Sequence, residues 1–131
     1  MAKPAHSMIR VLDERSSIEF YRHAFDLDEI GRLVFDDFTL IFLANPESEF
    51  ERELTVNHGR TEPYTHGTGY GHFALSVDDL DLQRAKCTQR GLNPTPIKEL
   101  QMSGQLAIRF FFLTDPDGYE VEVLQRHGRY R

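Results

Sequence analysis

The chain repeats itself, and no other feature restricts its fold as much. HSMIRVLD at 6–13 aligns with HFALSVDD at 72–79, an offset of 66 residues that keeps His, Val and Asp in register. ELTVN from Glu53 aligns with EVLQR from Glu122 at an offset of 69, a drift that loop differences absorb. Two copies of a β-α-β-β-β unit explain this pattern, and such a repeat implies a pseudo-symmetric fold with equivalent strand positions. The expected class is α+β, built from two tandem β-α-β-β-β units. Unit one covers about 6–57, a Gly-, Thr- and Pro-rich linker about 58–69, and unit two about 70–125, all within a single domain spanning 1–131.

Local patterns agree with the repeat. In AHSMIRVLD, His6, Met8 and Arg10 alternate with Ser7, Ile9 and Val11, which is strand periodicity. Asp13 stands where it can cap a helix through DERSSIEFYRHAF, with Ile18, Tyr21 and Phe25 at helical spacing. LVFDDFTLIFLAN reads as two strands turned at Asp36 and Asp37, and RELTVN as a further short strand. In the second half, HFALSVDD is a strand and DLQRAKCTQRG a helix stopped by Gly91. QLAIRFFFL and YEVEVLQ are strands joined through the turn DPDG, while ELQMSGQ reads as a loop.

Composition narrows the function. Fifteen basic against 21 acidic residues give a net charge of −6, which argues against a nucleic-acid partner. No apolar run approaches the roughly 18 residues of a membrane span, and MAKPAHS lacks the core of a signal peptide. The single Cys87 can form no internal disulfide and fits a reducing, cytoplasmic setting.

Each half offers one histidine at the start of its first strand and one glutamate on its last strand. If a twofold relates the units, His6, Glu53, His72 and Glu122 converge near its axis. Two imidazoles and two carboxylates suit a divalent first-row cation such as Ni, Co, Zn, Fe or Mn. Taken singly, each is more often an ordinary surface side chain, and Glu120 shares the strand face of Glu122. His23, on a helix, and His127, in the tail, read as bystanders. His58 and His66 could line a pocket, but neither has a counterpart in the other half.

HSMIRV with SIEFY at 6–21, ELTVN at 53–57, GYGHFALSVDD at 69–79 and DPDGYEVEVL at 115–124 resemble glyoxalase I of the short bacterial form, in the vicinal-oxygen-chelate superfamily. DPDG is common across that superfamily, whereas the first three stretches together are specific. The resemblance implies that the two units form curved mixed sheets around a metal site, and that His6, Glu53, His72 and Glu122 hold the metal, with nickel or cobalt first and zinc as the alternative. It assigns Arg10 and Asn57 to the glutathione part of the substrate. Each lies four residues beyond a ligand on the same strand face, about 13 Å away.

The implied reaction isomerises the hemithioacetal of methylglyoxal and glutathione to S-lactoylglutathione through an enediolate. Glu122 is the implied base, and Glu53 would return the proton at the neighbouring carbon. The implied assembly is a homodimer with active sites at the interface, His6 and Glu53 of one chain facing His72 and Glu122 of the other.

Some positions depart from the family pattern. The stretch ELQMSGQ lacks the usual loop lysine, with Met102 near its place and Lys98 a few residues earlier. The segment 58–68 is about one residue longer, and His58 replaces an aromatic residue. Asp26 stands in the usual Leu-Gly position and can tolerate a left-handed turn. The lost lysine leaves room for a thiol other than glutathione. Rival functions on this fold are an extradiol dioxygenase, a thiol transferase, an epimerase, or a metal-free sequestering protein. Glu53 argues against the first three, and the full set of four ligand-type residues against the last.

Overall fold

The computed structural model describes all residues from Met1 to Arg131, in two compact units, Met1–His66 and Gly67–Arg131. Unit one contains β1 (His6–Arg10), α1 (Glu14–Phe25), β2 (Asp28–Val34), β3 (Phe38–Ala44) and β4 (Glu51–Asn57). Its sheet order is β1-β4-β3-β2, with β1 parallel to β4 and the other pairs antiparallel. Unit two contains β5 (Phe73–Val77), α2 (Leu80–Gln89), β6 (Lys98–Met102), β7 (Gln105–Thr114) and β8 (Glu120–Gln125), in the order β5-β8-β7-β6. The expected pair of β-α-β-β-β units is therefore present, each with a four-stranded mixed sheet. No helix is long and apolar enough to cross a membrane.

Strand alternation sorts the sheet of unit one into two faces. Ile9, Val11, Ile41, Leu43 and Leu54 point to one side and are buried, as are Phe20, Tyr21, Ala24 and Phe25 of α1. The helix stripe is 17-20-21-24-25, so Ser17 and Phe20 hold positions that Ile18 was expected to share; Ile18 is only half-buried. Ring packing sets that stripe, with Phe20 edge-on to Tyr21 at 5.0 Å and to Phe25 at 6.2 Å. Arg52, 1% exposed, donates to Ser7 Oγ at 3.0 Å and to the Tyr21 hydroxyl at 3.4 Å, joining β4 to β1 and α1.

Capping closes both helices by related means. The Asp13 carboxylate accepts from the amides of Arg15 and Ser16, and that of Asp79 from Leu82. At the far ends, Asp26 (φ 55°) and Gly91 (φ 74°) take the left-handed conformation. The next amides, those of Leu27 and Leu92, reach back to the carbonyls of Tyr21 and Cys87. Asp26 thus performs in unit one the turn that glycine performs in unit two.

The stretch expected to be a loop at ELQMSGQ is instead a hairpin. Lys98–Met102 forms β6, paired with β7, and Met102 lies opposite Gln105. Ser103 (φ 54°) and Gly104 (φ 75°) make the connection, the double positive φ of a type I′ turn. All five β6 residues are exposed, Leu100 and Met102 among them, so the strand adds nothing to the core. Its position comes from pairing with the apolar β7.

Candidate functional site

Equivalent registers bring a histidine and a glutamate together in each unit. In unit one, Met8 lies opposite Glu53 across the parallel β1–β4 pair, which sets His6 two residues upstream on the same face. His6 Nε2 lies 3.4 Å from Glu53 Oε2. In unit two, Ala74 lies opposite Glu122 across β5–β8, and His72 immediately precedes β5. His72 Nε2 lies 3.3 Å from Glu122 Oε1. The offsets of 66 and 69 residues thus become the same placement in space. Glu120, on the same face of β8, is exposed and is not the residue His72 reaches.

Both carboxylates are more enclosed than their imidazoles. Side-chain exposure is 10% for Glu53 and 15% for Glu122, against 45% and 40% for His6 and His72. An aromatic residue stands opposite each glutamate on the adjacent strand, Phe42 for Glu53 and Phe112 for Glu122. The Phe112 ring meets His72 edge-on at 5.3 Å, limiting how the imidazole turns. The DPDG turn fixes the start of β8, because Asp115 Oδ1 accepts from the amides of Asp117 and Tyr119 at 2.9 Å each.

The donor set fits a first-row cation. Two donors about 2.1 Å from one ion, at angles between octahedral and tetrahedral, lie about 3.0–3.4 Å apart. The His–Glu separations of 3.4 and 3.3 Å match the upper part of that range. Within either unit no group of three or more His, Cys, Asp or Glu side chains collects, so each unit offers two donors.

The expected substrate contacts lie at the other end of the unit-one strands. Arg10 ends β1, exposed and opposite Thr55. Asn57 ends β4, and its Nδ2 donates to the Tyr64 hydroxyl at 2.9 Å. Tyr64 was not among the residues singled out from the sequence; its one signal was an aromatic side chain within a polar linker. His58 is held at both ring nitrogens. Its Nδ1 lies 3.0 Å from the Asp36 carbonyl and its Nε2 2.8 Å from Thr39 Oγ1. The imidazole therefore ties the linker to the β2–β3 turn. A carbonyl only accepts, so Nδ1 carries the proton. Beside His6, a groove is lined by Lys3, Pro4, Ala5, Glu49 and Glu51, with Lys3 and Glu49 in an ion pair.

Comparison with known proteins adds a family. The profile described as the Glyoxalase/Bleomycin resistance protein/Dioxygenase superfamily matches residues 3–123. The lactoylglutathione lyase of Haemophilus influenzae is 36% identical over 124 residues, covering 92% of this chain and 90% of that protein. The Escherichia coli O157:H7 lactoylglutathione lyase gives the same identity and coverage. Among solved structures, the glyoxalase I of Leishmania major, described as trypanothione-dependent, matches with a TM-score of 0.76 and 34% identity over 95% of this chain and 87% of that one.

Proposed function

Because the chain belongs to the Glyoxalase/Bleomycin resistance protein/Dioxygenase superfamily, we propose that it is a metal-dependent glyoxalase I-like lyase that isomerises the hemithioacetal of methylglyoxal and glutathione to S-lactoylglutathione. One observation carries this reading: the same imidazole–carboxylate pair stands twice in equivalent registers. Relatives named lactoylglutathione lyase, aligned over nine-tenths of the chain, support it.

His6, Glu53, His72 and Glu122 would hold the cation, nickel or cobalt before zinc. When bound, that cation offsets the negative charge that accumulates on the substrate oxygens. Glu122 takes the proton from C1 of the hemithioacetal, and Glu53 returns a proton at C2. The enclosed position of both carboxylates, each fixed on a strand of its sheet, suits this role, since it holds them in one orientation toward the substrate. Arg10 and Asn57 receive the peptide part of the thiol. Glutathione is the expected thiol, and the biological role is methylglyoxal detoxification in the cytoplasm.

The assembly that suits two donors per unit is a homodimer in which His6 and Glu53 of one chain face the partner's second unit. Lost carboxylates then become complementable between chains. Glu53→Gln and Glu122→Gln chains, each inactive alone, recover about a quarter of wild-type activity when co-expressed, because random pairing restores one of four sites. No recovery refutes the split arrangement. For the activity itself, metal-stripped protein is assayed for S-lactoylglutathione with Ni, Co and Zn added back separately. Product with Ni or Co is expected, and none with any of the three refutes the reading.

A further inference from the structure

The linker of unit one carries a cation held beside Asn57. Arg60 lies over the Tyr64 ring with its guanidinium carbon 4.3 Å from the centroid. Its Nε donates to the Glu62 carbonyl at 2.8 Å and its Nη2 to the Pro63 carbonyl at 3.3 Å. Two hydrogen bonds and a ring face hold the side chain in place, and Nη1 keeps its donors unused. Tyr64 accepts from Asn57 and retains its own hydroxyl proton. The second N–H of the Asn57 amide is also unspent by that bond.

Resting on the lyase reading, we propose that Arg60 and Tyr64, with Asn57, form a carboxylate clamp for the peptide part of the thiol substrate. A carboxylate offers about four acceptor sites, and this corner presents guanidinium, hydroxyl and amide donors from one short segment. Arg60 supplies the positive charge that ELQMSGQ in unit two lacks. There, Arg109 is already committed to Asp81 and Glu99. Lys98 has no partner to position it, whereas Arg60 is set before any ligand arrives, so little side-chain freedom is lost on binding.

The test measures affinity directly. Calorimetry on metal-loaded protein gives the Kd of S-hexylglutathione and of its two mono-amides, one blocked at the glycyl carboxyl and one at the γ-glutamyl α-carboxyl. Arg60→Ala should weaken S-hexylglutathione about tenfold, the scale of one charge-assisted contact. It should cost nothing further against the mono-amide that lacks the clamped carboxylate, which identifies the group. Tyr64→Phe should weaken binding several-fold with an unchanged melting temperature. Lys98→Ala should leave Kd within twofold. Equal losses for Arg60→Ala on all three ligands, no loss on S-hexylglutathione, or a tenfold loss in Lys98→Ala alone each overturn the clamp. Turnover separates this from the lyase reading: wild type that makes S-lactoylglutathione while Arg60→Ala binds normally sinks only the clamp. Binding lost in Arg60→Ala, from a wild type that makes no product, sinks only the lyase.

Discussion

Replacing Glu122 by Gln removes a charge and a base while keeping the side chain's length. The residue sits on β8 between Ala74 and Phe112, its side chain 15% exposed, with an oxygen 3.3 Å from His72 Nε2. An amide fills the same space and can still accept a hydrogen bond from the imidazole, so the sheet has no reason to repack. The partly exposed His72–Glu122 contact stabilises the fold by at most about 1 kcal/mol. The melting temperature should accordingly fall by no more than about 4 °C. Turnover behaves differently. A positioned general base contributes roughly 10²–10⁴-fold, or about 2.7–5.5 kcal/mol at 1.36 kcal/mol per decade. The assay is kcat for S-lactoylglutathione formation, with metal content determined by mass spectrometry on the same samples. A kcat loss with retained metal assigns the proton transfer to Glu122; a loss that parallels metal loss assigns only ligation. Glu120→Gln, two residues away on the same face and exposed, should stay within twofold of wild type. Full turnover in Glu122→Gln, or an equal loss in Glu120→Gln, refutes the assignment of the base.

Three further outcomes follow from the packing. Leu54→Ala, at a fully buried position between Ile9 and Ile41, should cost about 2–5 kcal/mol in urea unfolding. Ser103→Asn, at φ 54° before Gly104, should stabilise by about 0.5 kcal/mol, because asparagine accepts that backbone more readily; a lowered melting temperature would count against the hairpin. Cys87 is 1% exposed, and burial raises its thiol pKa above the ordinary 9.0. Native protein should therefore resist a thiol reagent that labels the unfolded chain at once. The stability this group contributes is full below 9.0 and lost as the pH rises through the folded thiol's higher value, as pH-dependent denaturation will show.

Much of the fold is legible in the sequence because burial leaves a period. Buried Ile9 and Val11 alternate with less buried neighbours, and Asp13, Gly91 and DPDG mark boundaries through hydrogen bonds that few other residues can make. β6 leaves only a faint trace, Leu100 and Met102 two residues apart, since KELQM buries nothing and owes its shape to β7. The helix stripe is misjudged by one position because Ser17 is small enough to be buried without being apolar. The repeat picks out both His–Glu pairs, yet spacing alone places Glu120 and Glu122 on one face. Only the reach of His72 separates them. The Arg60–Tyr64–Asn57 corner is silent in the sequence, because the linker's own turns create it.

In both units the carboxylate belongs to an interior strand of its sheet, while the imidazole is borne by, or stands just before, a five-residue strand bonded along one flank only. Glutamate is thus the anchored half of each pincer and histidine the half that frays first. Gentle heating will unpick the imidazoles from the rim while the remaining strands still hold, so catalysis fades at temperatures where a spectroscopic melting curve still reads as native.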